Sequence, residues 1–189
     1  MEILKQKIRD YGVLVSDQIL KVDSFLNHQL DPDLIVQIGK EFAARFGKDG
    51  VTKILTVEAS GIPVALTTAM ELKLPVVFAK KNKPSTMQGK VYTAEVHSFT
   101  KNEDVIISVA GSYLVKNDRI LIIDDFLAMG SAAKGLVEIV KQSGATLIGV
   151  GVVIEKGFQK GGELLRASGI KVESLVTIKS LQSGEIEFA

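Results

Sequence analysis

Asp124 and Asp125 stand side by side after the apolar run Ile120-Leu121-Ile122-Ile123, and Phe126-Leu127-Ala128-Met129-Gly130 leads on to Ser131-Ala132-Ala133. Two adjacent carboxylates can address hydroxyl groups or a metal ion. Leaving either one desolvated and unpartnered costs roughly several kcal/mol, so packing alone explains such a pair poorly. The turn beyond them is built of small or unbranched residues and opens a helix at about Ser131. Unpaired N–H groups and a partial positive charge at a helix start suit an anion. This stretch therefore offers an acidic pair beside a phosphate-seeking loop, and a sugar phosphate is the simplest ligand that needs both.

Further pieces carry similar chemistry. Glu58-Ala59-Ser60-Gly61 is a small-residue turn in which the backbone can approach a ligand and Ser60 can donate to an anion, although an ordinary tight turn would read the same way. Lys80, Lys81 and Lys83 crowd like charges together at the entrance to a stretch, 84–99, that holds no helical period. That suits either anion capture by a closing lid or a solvated basic turn. Lys156 follows a strongly apolar run and precedes Gly157-Phe158. Its ammonium can donate to an oxygen, and the Phe158 ring could stack on a flat heterocycle.

These pieces need elements to hold them. Ile120–Ile123 shows no alternation, as expected of a strand covered on both faces within a parallel sheet. Comparable strands are expected at 54–57, 75–79, 105–109 and 147–154, with others near 172–178 and 186–188. Helices are expected over 1–11 (Ile3, Leu4, Ile8 and Tyr11 on one face), from Asp31-Pro32 to Gly47, from Gly61 to about Leu72, from Ser131 to Gln142, and briefly up to Ala167 after a Gly161-Gly162 turn. Segment 13–32 fits no single period, as a stretch folded over something else would. Some strand-like alternation runs from Tyr92 to Phe99, within a candidate mobile loop or hairpin. The fold class expected is α/β, a mainly parallel central sheet flanked by helices, in one domain over 1–189. In open sheets of this kind ligands gather at the carboxyl ends of the strands.

Composition narrows the function classes. The chain has 189 residues, 46% of them hydrophobic, and Lys plus Arg (23) nearly balance Asp plus Glu (22). No bulk basic excess favours nucleic acid. There is no cysteine, which excludes disulfides, thiolate metal sites and a cysteine nucleophile. No apolar run approaches the roughly 18 residues of a membrane span, and the charged first ten residues contain no signal core. A soluble, cytoplasmic protein is expected.

Residues 120–132 resemble the 5-phosphoribosyl 1-pyrophosphate (PRPP) signature of the type I phosphoribosyltransferases, and the resemblance extends over nearly the whole chain. It implies that fold, with a hood over the base site formed by about residues 1–30 and the C-terminal tail. It also implies purine salvage, the transfer of a phosphoribosyl group from PRPP to a base with release of pyrophosphate. The segments K-V-D-S-F-L-N-H-Q at 21–29, D-D-F-L-A-M-G-S-A at 124–132 and E-K-G-F at 155–158 are most similar to the branch that acts on xanthine. The resemblance places the 5′-phosphate on Ala128, Met129, Gly130, Ser131 and Ala132. It gives Asp124 and Asp125 to the ribose hydroxyls or an associated Mg²⁺, as the catalytic pair. Pyrophosphate falls to Ala59, Ser60 and Gly61, with Lys81 helping to neutralise it, and a homodimer is implied. Xanthine falls to Leu20, Asn27, Lys156 and Phe158. Many 6-oxopurine transferases carry an Asp where this chain has Ala128, so no protein general base is named.

Rival readings remain at this level. Some repressors and RNA-binding attenuators share the PRPP fold, but residues 1–50 hold only about two helices and no basic recognition helix. A generic dinucleotide- or nucleotide-binding enzyme lacks support, since neither G-x-G-x-x-G nor G-x-x-x-x-G-K is present.

Overall fold

A computed structural model describes residues 1–81, 89–98 and 103–189. The chain runs α1 (Glu2–Tyr11), β1 (Val13–Ser16), β2 (Ile19–Lys21), a π-helical turn (Asp23–Asn27), α2 (Pro32–Phe46), β3 (Lys53–Val57), α3 (Gly61–Leu72), β4 (Val76–Lys81), β5 (Val91–Ser98), β6 (Glu103–Ala110), β7 (Arg119–Leu127), α4 (Ser131–Ser143), β8 (Thr146–Lys156), α5 (Gly161–Ala167), β9 (Val172–Ser180) and β10 (Glu187–Phe188). Among the described residues an eight-stranded sheet has the order β10-β9-β8-β7-β3-β4-β6-β5. Its centre is parallel, from β9 through β8, β7 and β3 to β4. The strand expected at 105–109 is β6, which pairs antiparallel to β4 and β5, so its carboxyl end does not join the others. The alternation from Tyr92 belongs to β5, the outer strand of that hairpin. Part of the expected mobile loop, with Lys83 and Pro84, lies outside the described residues.

β7 is buried on both sides, as its unbroken apolar run requires. Ile120 and Ile122 pack with Leu136, Ile139 and Val140 of α4, while Leu121 and Ile123 join Ile38 and Phe42 of α2. Close packing explains Gly151 on the neighbouring strand: a Cβ there would lie 2.7 Å from Ile123 Cδ1 and 2.8 Å from Phe42 Cε1. α2 begins as its sequence predicts, with the Asp31 carboxylate accepting the Leu34 N–H at 3.1 Å and Pro32 in the first turn. Leu34, Ile35, Ile38, Phe42 and Phe46 are all buried. In α1 only Leu4 and Ile8 are buried; Ile3 and Tyr11 face outward, because one short helix lies on the core through a narrow stripe.

The aperiodic segment 13–32 resolves into the β1–β2 hairpin and the π-helical turn, whose Phe25 and Leu26 enter the core that contains Leu4 and Ile8. The two ends of the chain meet. The Met1 ammonium donates to Leu175 O at 2.9 Å, Lys5 Nζ donates to Ala189 O at 3.3 Å, and Arg9 lies 4.9 Å from the Phe188 ring centroid. No described helix is long and apolar enough to cross a membrane.

Candidate active site

β7 is longer than its apolar run suggests and extends to Leu127, so Asp124 and Asp125 lie inside the strand and not beyond it. β3 pairs with β7 only as far as Ile122, and the carboxylates emerge where that neighbour has turned away. They open onto a cavity of about 280 Å³. The cavity brings together Ala59, Ser60 and Gly61, Lys81, the carboxylate pair, and Ala128, Met129, Gly130, Ser131 and Ala132. All the residues expected to hold PRPP therefore line one space.

Asp124 is 5% exposed. Burial first, and the neighbouring Asp125 charge second, hold its carboxyl well above the usual carboxylate range, while the Lys81 charge pulls the other way. The Asp125 N–H donates to Asp124 Oδ1 at 3.0 Å. Gly61 opens α3 against this carboxylate: a Cβ there would stand 2.7 Å from Asp124 Oδ1 and would collide with Thr56 Oγ1. Glu58 ties the turn to β4 by accepting the Lys81 N–H at 2.5 Å. Across the cavity, Gly130 takes φ 81° and leads into α4, whose start has no side-chain cap. The first-turn N–H groups of such a helix are free to meet an anion. Ser131 Oγ accepts the His97 N–H at 2.7 Å and keeps its own proton to donate.

The residues expected at the base lie apart from this cavity. Leu20 is buried in the core beneath the N-terminal segment. Asn27 ends the π-helical turn, and its Oδ1 is buried with no hydrogen-bond partner among the described residues. Lys156 is the last residue of β8, which runs two residues past its expected end at Ile154. Burial lowers its pKa, and its Nζ donates to Gln18 O of the β1–β2 turn at 2.7 Å. Phe158 is 37% exposed. Phe126, which the sequence did not single out, joins the two regions. It lines the cavity, packs against the core that holds Leu20, and lies 5.8 Å from Lys156 Nζ. Val96, His97, Val105 and Ile107 were also missed as lining residues, whereas Glu58 lies in the turn already picked out. The alternation from Tyr92 hinted at Val96 and His97, and Val105 and Ile107 lie on the strand expected at 105–109.

Among the described residues no group of three His, Cys, Asp or Glu gathers to form a protein-only metal cage. The aspartate pair nonetheless suits Mg²⁺, which is commonly held by one or two carboxylates together with substrate phosphates. A cation would also relieve the repulsion that raises Asp124.

Residues 29–178 match the model of the phosphoribosyl transferase domain. The chain is 63% identical over 188 residues to a xanthine phosphoribosyltransferase of Moorella thermoacetica, covering 100% of this chain and 96% of that protein. It is 54% identical to a protein of the same name from Oceanobacillus iheyensis, covering 100% and 97%. Among solved structures, the adenine phosphoribosyltransferase of Giardia lamblia superposes with a TM-score of 0.77 at 19% identity, covering 92% of this chain and 97% of that one. The corresponding enzyme of Trypanosoma brucei superposes at 0.74 and 23% identity, covering 92% and 79%. At such identities these two speak for the fold alone. With its donor-side turns gathered on one cavity and its relatives matched end to end, the chain belongs to the phosphoribosyltransferase family and has the type I fold.

Proposed function

We propose that this protein transfers the 5-phosphoribosyl group of PRPP to xanthine, giving xanthosine 5′-monophosphate and pyrophosphate. The observation that carries the reading is the cavity itself, which an uncapped helix start, a glycine turn and a carboxylate pair with Asp124 buried line together. The full-length likeness to relatives named for xanthine supports the choice of base.

In this reading a purine nitrogen forms a bond to the ribose C1 as the C1–O bond to pyrophosphate breaks. Positive charge grows on the ribose and negative charge on the leaving group. The chain's task is to position both and to meet those charges, with no protein nucleophile. Residues 128–132 hold the 5′-phosphate on backbone N–H groups. Asp124 and Asp125 fix the ribose hydroxyls and are the residues that would help hold Mg²⁺, which would supply charge neutralisation for the pyrophosphate. Ala59, Ser60, Gly61 and Lys81 receive the leaving group. Lys156 donates to the 6-oxo oxygen, and its three donors allow this alongside Gln18. The unpartnered Asn27 Oδ1 gives the 2-oxo side an acceptor for the adjacent ring N–H, and the Asn27 amide N–H₂ can donate to the oxo group itself. Ala128 offers no carboxylate, so the purine proton leaves before binding, with xanthine entering as its anion, or through a relaying water.

Residues 1–189 act as one unit, with about 1–30 and the C-terminal tail as the hood. A homodimer completes the reading: Leu66 and Met70 of α3 and Phe78 of β4 are exposed apolar groups of the kind a second copy covers. The direct test is pyrophosphate release from PRPP with xanthine, guanine, hypoxanthine or adenine in turn. Release should be fastest with xanthine. No release with any base would sink the enzymatic reading, and sedimentation as a monomer would remove the dimer.

A further inference from the structure

The Gly161-Gly162 pair, a turn to the eye in sequence, opens α5 and is buried against the phosphate loop. The Gly161 N–H donates to Ala128 O at 3.0 Å. A Cβ on Gly161 would press on that same oxygen, and would lie 2.6 Å from the Gly130 nitrogen and 2.8 Å from the Met129 carbonyl carbon. These are backbone atoms, which cannot swing aside as a side-chain tip can. From the other side, a Cβ on Gly130 would stand 3.1 Å from Gly161 Cα.

Nor is α5 free to retreat. Arg166 grips Glu155 through a fork of two 2.7 Å bonds, and the Ser174 hydroxyl donates to the same carboxylate. Burial would raise the Glu155 pKa, but these bonds outweigh it and hold the group ionised. A side chain on Gly162 would collide with Glu155 Oε1, so the start of α5 is wedged between the brace and the loop.

We propose that Gly161 is a positioning residue for the 5′-phosphate of PRPP. Its missing side chain lets the braced α5 set the backbone of residues 128–130, and with it the donors that lead into α4. This inference rests on the reading of that loop as the phosphate cradle. Gly161 does not touch the substrate; it acts through the loop.

The test is Gly161→Ala, with PRPP binding by calorimetry, KM for PRPP and for xanthine, and thermal melting. Misplacing a cradle by about an ångström is enough to cost on the order of a hundredfold, so both PRPP constants should weaken about tenfold or more. The xanthine KM should stay near that of the parent, and the melting temperature should fall by only about a few degrees, the cost of overpacking one buried site. Unchanged PRPP affinity, or equal losses for PRPP and xanthine, would overturn the inference. Arg166→Gln, which loosens the brace from the far end of α5, should give a smaller PRPP-selective loss. If Gly161→Ala does not fold, this second variant decides, and unchanged PRPP affinity in it overturns the inference. A parent protein that binds PRPP yet turns over no base defeats the reading of the function while calorimetry still decides the role of Gly161. A parent that binds no PRPP defeats both.

Discussion

The proposed donor side and the proposed base side of this protein are built on different plans. On the proposed donor side, two short turns, one after β3 and one after β7, deliver glycines, small residues and backbone N–H groups to one cavity, joined there by Lys81 at the end of β4. On the proposed base side, Leu20, Asn27 and Lys156 come from the N-terminal segment and the far end of β8, and their part in the proposal is played by side chains. A parallel sheet brings strand ends to a common edge without help from anything else. Holding the proposed hood over that edge needs long-range contacts, such as Met1 on Leu175 and Lys156 on Gln18. The donor side is thus a product of topology and the base side a product of docking. The two should respond to different mutations.

The strongest test of the divide is Asp124→Asn with Asp125→Asn. Turnover with every base should fall by at least about a hundredfold, the scale of losing preorganised charge in a site, while circular dichroism keeps its native shape. Asp124 also carries a stability signature. Its pKa is raised, so between the ordinary carboxylate range and that raised value the folded state binds more protons than the unfolded chain. Stability therefore falls as pH rises through that window. Asp124→Asn should flatten this dependence and hold or raise the melting temperature at neutral pH. Unfolding instead would show that the pair serves the core.

Next in size, Asn27→Ala should cut kcat/KM for xanthine by about tenfold to a hundredfold, the reach of one buried hydrogen bond. Guanine and hypoxanthine should lose far less, and KM for PRPP should not move. Equal losses for all three bases would erase the distinction between the two sides. Ala128→Asp should alter turnover by less than about tenfold and leave the order of bases alone, since the reaction runs without a carboxylate there. A large rise in turnover would contradict that account. The smallest effect belongs to Asp31→Ala, which removes the cap of α2 and should lower the melting temperature by about 2–4 °C without touching either KM.

Residue by residue, the donor side was the more legible. Ile120–Ile123 announced a doubly covered strand, Gly130 and Ser131 marked the start of α4, and Asp31-Pro32 marked that of α2. Phe126 escaped notice for a physical reason. Leu121 and Ile123 face the α2 side, and strict alternation would send Phe126 to the opposite face. It packs on the α2 side all the same, while Leu127 faces α4. The face therefore switches across the aspartates, and counting by two cannot see this. Gly161-Gly162 was misread because a glycine required by close approach looks, in sequence, like a glycine required by a turn.

Periodicity, caps and turn chemistry were enough to establish the α/β class and most element positions, and to pick out the two turns that line the cavity, because each depends on neighbours a few residues away. Family resemblance added the reaction and the base. Folding had to supply what depends on distant partners: the antiparallel β5–β6 edge, the burial that lifts the Asp124 pKa, the Lys156 ammonium held at Gln18, and the wedge of α5 behind the phosphate loop. The acidic pair could be found in one dimension. How dry it is, and what stands behind the loop beside it, are set by strands and helices far away in the chain.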